Sequence, residues 1–383
     1  MTTHTDSTKR HDFVLLFDVT NGNPNGDPDA GNLPRTDPET MHGLVTDVAL
    51  KRKIRNYVAG WKNQRIFIQS EVSLNSLILK GFRDAGVPPP QISFNDEDLE
   101  EWFEERAGDE GFPFSLENGM LVYAGESPRK KDIVAALTQS LGDSNEDKAR
   151  KTKLLKRADE LVKAAANKKM GRQEQSQARS ELCQDYYDIR MFGAVLATGL
   201  NAGQVRGPVQ LTFARSIDPI LVLDLSITRL ARTTSERMQS GTTEMGRKAI
   251  VPYGLYRAHG FFNPMLGATR PQGTGVSDQD LEILWEALTN MFEIDRSAAR
   301  PEMGVRGLYV FSHDSPLGNY PSHRLFPQVR VARKERVESV RSFDDYSVDA
   351  PEAGEVAVDG KTNSGVTFTA VVHKGEVLWR APQ

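Results

Sequence analysis

Apolar residues in this chain fall at strand spacing in several short runs. Helical stripes separate those runs, but never in regular strand–helix–strand succession, and that order implies an α+β fold. Phe13 to Val19 (FVLLFDV) is a buried strand that ends at turn residues. Val209, Leu211 and Phe213 alternate with Gln210, Thr212 and Ala214, and Leu221, Leu223, Leu225 and Ile227 alternate in the same way. Gly307 to Ser312 (GLYVFS) is a further strand, and Arg65 to Leu74 is expected to be another. After Pro327 the chain is polar and loop-rich, with a hairpin expected at Lys374-Gly375.

Two helices stand out between the strands. From Met41 to about Trp61, Leu50, Ile54, Tyr57, Val58 and Trp61 share one stripe at about 100° per residue, and Lys51, Arg55 and Lys62 lie on a neighbouring one. From Asp278 to Phe292, Leu281, Leu284, Trp285, Leu288 and Phe292 form a buried stripe behind a Ser277/Asp280 capping box.

Residues 81–180 are an insertion of segregated charge. Pro88, Pro89 and Pro90 open it, and nine acids then face one base between Asn95 and Glu110. Ten bases face three acids between Asp147 and Arg172, where Leu154, Ala158, Leu161 and Ala165 mark a helix face. The two stretches are expected to screen one another.

The 383 residues suffice for one large domain with insertions or for two ordinary domains. The formal charge of −4 argues against a bulk nucleic-acid binder, so local charge must choose the partners. One cysteine, Cys183, permits neither an intramolecular disulfide nor a Cys-based zinc site and suits a reducing compartment. The N-terminus MTTHTDSTKRHD has no signal-peptide apolar core, and no run approaches the about 20 apolar residues that span a bilayer. A cytoplasmic protein without a membrane partner is expected.

Candidate chemistry is concentrated in three segments. The loop NGNPNGDPDAGNLPRTDPET carries Asp27, Asp29, Asp37 and Glu39, which could hold a divalent cation. Its Asn21-x-Asn23-x-Asn25-Gly26 run approaches an EF-hand but lacks the leading Asp, and Asn32 stands at the twelfth position. The alternative is an Asx- and Pro-punctuated docking loop. The helix offers Lys51, Arg52, Lys53, Arg55 and Lys62 with only Asp47 nearby, where phosphate contacts compete with simple solvation. Its stripe favours Lys51 and Arg55 over Arg52 and Lys53 as phosphate contacts. The segment Thr228 to Tyr256 carries Arg229, Arg232, Arg237, Arg247 and Lys248, with Met245 at its return; residues 229–250 read as an exposed polar excursion. A mobile surface hairpin is the plainer reading.

Arg306 to Phe311 (RGLYVF) loosely resembles an RNA-recognition-motif signature but lacks a small residue and an aromatic, and reads as a core strand. GxSxG, Walker A, GxGxxG and HExxH are absent, and the seven histidines show no metal-ligand spacing. No enzyme and no cofactor are expected.

Five blocks carry a family resemblance: Asn21 to Thr40, Gly43 to Val58, Tyr186 to Ile220, Met245 to Phe262 and Leu284 to Gly318. Together they resemble the backbone subunit of the type I-C CRISPR Cascade, a member of the RAMP superfamily. The resemblance implies a modified ferredoxin-like, RRM-like palm (12–80 and 181–326), inserted mainly helical fingers (81–180), a thumb hairpin (228–250) and a C-terminal extension (327–383). It implies an oligomeric ribonucleoprotein of antiviral defence. Its copies line up along CRISPR RNA, with target DNA, other Cascade subunits and a separate helicase-nuclease as partners. The thumb of one copy would fold over RNA held by its neighbour, and base pairing would read the sequence. On this chain the RNA contacts would be Arg35, Lys51, Arg52, Lys53, Arg55, Arg190, Gln204, Arg206, Arg229, Arg232, Met245, Arg247 and Lys248. The competing enzymatic reading is a metal-dependent ribonuclease built on Asp27 and Asp29.

Overall fold

A computed structural model describes residues 3–87, 89–106, 112–123, 125, 129–139, 141, 144–167, 172–197, 202–229, 244–268 and 273–382. The chain forms two compact units, one of Met1–Gln64 with Pro208–Gln383 and the other of Arg65–Gly207. These boundaries differ from an insertion confined to 81–180. The helix Leu74–Asp84 packs on Arg172–Asp185, with Leu182 seated over Gly81, so both flanks of the insertion belong to the second unit.

The first unit is built on an antiparallel sheet. Its central strands run in the order Val366–His373, Glu302–His313, His11–Gly22, Glu244–Phe262, Ala214–Pro219 and His42–Val45. The apolar run of His11–Gly22 explains its central place, because both of its faces are covered. Phe13 packs against Trp285 at 5.1 Å and Phe17 against Phe292 at 5.1 Å, under the helix Asp278–Ile294. Val14 and Leu16 face the other way, into a cluster with Tyr309, Phe311, Phe326, Val329, Val348 and Phe368. Each such side chain contributes about 1.5–3 kcal/mol by leaving water.

The capping box expected at Ser277 and Asp280 is present, and Leu281, Leu284, Trp285, Leu288 and Phe292 are all buried. The hairpin expected at Lys374-Gly375 is also present, with both residues at positive φ (49° and 82°).

Four expectations need correction. The helix begins at Asp47, not Met41, because His42–Val45 pairs with Ala214–Pro219 and Thr46 then caps the helix, accepting from the Ala49 N–H at 3.2 Å. Residues 65–73 form no strand; the Phe67 and Ile68 N–H groups donate to the Asp188 carboxylate at 2.7 and 3.1 Å instead of to a ladder. The 229–250 excursion is in part a ladder, since residues 244–250 begin the strand Glu244–Phe262 and pair with Leu223–Arg229. The tail is structured: Val366–His373 extends the main sheet beside Glu302–His313, and Arg330–Arg333 pairs with Tyr346–Asp349.

The second unit holds two apolar clusters. One gathers Phe67, Phe82, Leu182, Tyr186, Ile189 and Leu196. The other gathers Trp102, Phe103, Phe114, Leu121, Leu154 and Leu161 beneath the helix Asn145–Asn167. The acidic and basic stretches meet at Asp96, which lies 3.5 Å from Lys153 and 3.7 Å from Arg157.

Candidate nucleic-acid interface

The Asp-rich loop is held by its own side chains. Asn21, Asn32 and Met41 take positive φ, Asn23 donates to the Asn32 carbonyl at 2.7 Å, and the Asn25 side-chain oxygen accepts from the Thr46 N–H at 2.9 Å. The last bond ties the loop to the start of the helix Asp47–Lys62. The carboxylates do not converge. Asp27 accepts from the Asp29 N–H and lies 3.4 Å from Arg35, while Asp37 bonds Arg215 at 2.8 Å. The Arg215 guanidinium holds the Asp37 carboxyl down to about 2. Among the described residues no group of three or more His, Cys, Asp or Glu side chains is placed to hold a metal. Arg35 is half-buried, and its buried Nε has no hydrogen-bond partner among the described residues.

On the helix the structure places the cations differently from the stripe reading. Arg55 is buried at 8% exposure and Lys53 at 5%, whereas Arg52 is exposed. Lys53 is paired with Asp295, which also accepts from the Arg300 Nε at 2.7 Å, and its ammonium lies 5.8 Å from the centre of the Phe292 ring. Burial pushes the Lys53 ammonium down from its ordinary range. Lys51 pairs with Asp47 at 3.0 Å, and Lys62 with Glu286 at 2.7 Å. The second helix covers a wider arc than the apolar residues mark, so cations beside the stripe are drawn into the interface. The solvent stripe is Val48, Arg52, Asn56 and Ala59, at helical spacing. Trp61, expected in the core, is 69% exposed at the helix end.

The arm of Leu223–Arg229 and residues 244–250 has two chemically distinct faces. Directly paired residues share a face. Leu223, Leu225 and Ile227 therefore lie with Ile250, Lys248 and Gly246, while Asp224, Ser226 and Thr228 lie with Ala249, Arg247 and Met245. Met245 is 75% exposed, and Arg247 is paired with Asp224. Met245 and Arg247 are thus brought together and Lys248 is not. The Arg229 side chain, Arg232 and Arg237 lie outside the described residues.

Arg190, Gln204 and Arg206 belong to the second unit. Arg190 donates to the Cys183 carbonyl at 2.7 Å and the Gln184 carbonyl at 3.0 Å, closing the end of the helix Arg172–Asp185. Gln204 and Arg206 are exposed and share one face of a hairpin with Val195 and Gly193.

One cation escaped the sequence reading. Arg306 donates through Nε to Asp18 at 2.8 Å, and the Tyr253 hydroxyl donates to the same carboxylate at 3.1 Å. Burial pushes the Asp18 carboxyl up, and Arg306 pulls against it. The signal was a lone aspartate inside the apolar run Phe13 to Val19, which requires a partner. In the run Arg306 to Phe311, Tyr309 and Phe311 are buried, so neither aromatic offers a ring to a base.

Among the described residues no helix is long and apolar enough to cross a membrane. The chain shares 45% identity over 47 residues with the CRISPR-associated protein Cas7 of Haloferax volcanii, a stretch that is 12% of this chain and 14% of that protein. Among solved structures, a chain of a "CRISPR RNA-guided surveillance complex, pre-nicking" superposes with a TM-score of 0.41 and 16% identity over 79% of this chain and 78% of its own. A chain of a "CRISPR RNA-guided surveillance complex" gives a TM-score of 0.34 and 15% identity over 79% and 75%. The family model described as CRISPR-associated protein Cas7 matches residues 9–110 and 126–351. That match takes in the cationic helix, the arm and most of both compact units, and the chain belongs to the CRISPR-associated Cas7 family.

Proposed function

We propose that this chain is the non-catalytic backbone subunit of a CRISPR RNA-guided surveillance complex of type I-C, with copies aligned side by side along the guide RNA. The observation that carries the reading is the two-stranded arm, which sets exposed Met245 beside Arg247 at the end of a strand rooted in the central sheet. A two-stranded ribbon that carries an exposed apolar side chain beside a cation suits a wedge between bases that also holds a phosphate. In this reading the sheet is the ferredoxin-like palm, the arm is the thumb, residues 81–180 are the fingers and 327–383 a C-terminal extension. Arg35, Lys51, Arg52, Gln204, Arg206, Met245 and Arg247 contact RNA, Arg229 and Arg232 are given the same role from the sequence alone, and Lys248 lies on the face of the arm turned away from the contact. Lys53, Arg55 and Arg190 act through packing. Target DNA pairs with the presented bases, and a separate helicase-nuclease degrades it.

The test is the absorbance ratio and size-exclusion profile of the purified protein before and after RNase. Co-purifying RNA in a large species that shrinks on digestion supports the reading. A nucleic-acid-free monomer that ignores added RNA at low salt overturns it.

A further inference from the structure

Asp18 lies on the sheet face that carries the C-terminal segment, since it follows Val14 and Leu16 at strand spacing and they pack there. An isolated carboxylate in that place is costly, and Arg306 is its cationic partner. Yet the pair is one-sided. An arginine carries five N–H donors, and Arg306 commits only Nε to Asp18. Its terminal nitrogens donate to nothing among the described residues, and its side chain is 36% exposed. The guanidinium also lies 5.4 Å from the centre of the Phe343 ring, within cation–π range. A buried carboxylate and a ring beside it hold a partly exposed guanidinium whose two amino groups have no protein acceptor among the described residues.

Phe343 ends a loop that is itself cationic and held in shape. Lys334 N–H donates to the Asp345 carbonyl at 2.8 Å, and the Asp345 carboxylate accepts from the Arg341 N–H at 2.7 Å and the Ser342 N–H at 2.9 Å. Those backbone bonds hold the Asp345 carboxyl below its usual range, so it stays charged as the clasp of the loop. Arg336 takes a positive φ of 70° at the turn. Lys334, Arg336 and Arg341 are exposed and form no ion pair among the described residues. Their backbone is ordered before any ligand arrives, which lowers the entropy cost of binding.

We propose that the Asp18-anchored Arg306 and the clasped loop bearing Lys334, Arg336 and Arg341 form a second phosphate-binding site for a single-stranded polynucleotide. A fork of two coplanar donors matches two oxygens of one phosphodiester, and the loop cations take the neighbouring phosphates. Tyr309 and Phe311 being buried, the site reads backbone and not bases. This inference rests on the preceding reading for the ligand class alone, and it uses none of the residues named there.

The test is binding of a fluorescein-labelled oligouridylate by anisotropy across a salt series, with the full chain. Three exposed cations are removed together in Lys334→Ser/Arg336→Ser/Arg341→Ser. Each phosphate contact contributes about 0.7 to the slope of log affinity against log salt, so the slope should fall by about 2. Arg306→Lys keeps a cation against Asp18 and should weaken binding with no change in thermal midpoint. Arg52→Ser/Arg247→Ser is measured in parallel. A fall in slope for the loop variant supports the second site. An unchanged slope there, with a reduced slope for Arg52→Ser/Arg247→Ser, overturns this inference and leaves the preceding reading standing. No binding by the unaltered chain at low salt overturns both.

Discussion

At the scale of single residues, two adjacent cations have opposite fates. Arg52 and Lys53 are consecutive, yet Arg52 faces solvent and Lys53 is paired with Asp295, 242 positions away. Lys53→Ala leaves a largely buried carboxylate with, among the described residues, Arg300 beside it and should cost about 3 kcal/mol, the lower end for breaking a buried pair. Urea denaturation would register this as a lower midpoint, and RNA affinity per folded molecule should not change. Arg52→Ala should do the reverse, with an unchanged midpoint and a salt slope shallower by about 0.7. A second prediction concerns protons. Burial holds His4, His11 and His259 down from 6.5 to about 4. Their folded pKa values lie below the unfolded ones, so the unfolded chain binds protons that the folded chain refuses. That stability is complete above about 6.5 and is lost as pH falls toward 4. Thermal melts over that window should show the midpoint falling with pH, and His11→Gln should flatten the dependence. A flat profile for the unaltered chain would contradict the buried placement of these rings.

At the scale of elements, the arm makes the sharpest prediction. Met245 and Arg247 share one face, and Lys248 lies on the other with Leu225 and Ile227. If the Met245 face meets RNA, Met245→Ser and Arg247→Ser should weaken binding together, while Lys248→Ser should leave the affinity within about twofold, the scale of a few tenths of a kcal/mol. Equal losses from all three would mean that the ribbon is gripped on both faces. The helices show how far local pattern reaches. The Ser277/Asp280 box and the stripe behind it were legible because cap and period are properties of consecutive residues. The segment 65–73 was not legible, because its apolar residues have no period to separate a strand from a loop pinned by Asp188.

At the scale of the whole molecule, the C-terminal segment is part of the first unit's core and not an appendage. Val329, Val348, Val356, Val358, Val366 and Phe368 cover Val14, Leu16, Tyr309 and Phe311. Six such side chains at about 1.5–3 kcal/mol each match the about 5–15 kcal/mol of net stability that a folded protein has. Truncation after Pro327 would also strip Val366–His373 from Glu302–His313 and leave an apolar strand edge open. The truncated chain should be insoluble or elute as aggregate by size exclusion. A soluble monomer with native circular dichroism would show that the segment merely rests on the sheet.

The sequence by itself determined the central strand, the Ser277/Asp280 cap with the stripe behind it, the Lys374-Gly375 turn, the segregation of charge and the family blocks. Each is a relation among residues close along the chain. Only the tertiary structure decided which cations face water. Lys53 and Lys62 lie within one short run, and the helix Asp278–Ile294 with the Asp295 that follows it, brought alongside from far along the chain, supplies the carboxylates that pair them. The same holds for Asp18 and Arg306, 288 positions apart. A charge reports its sign in the sequence, but its partner and its exposure follow from packing, and packing is a property of the folded chain.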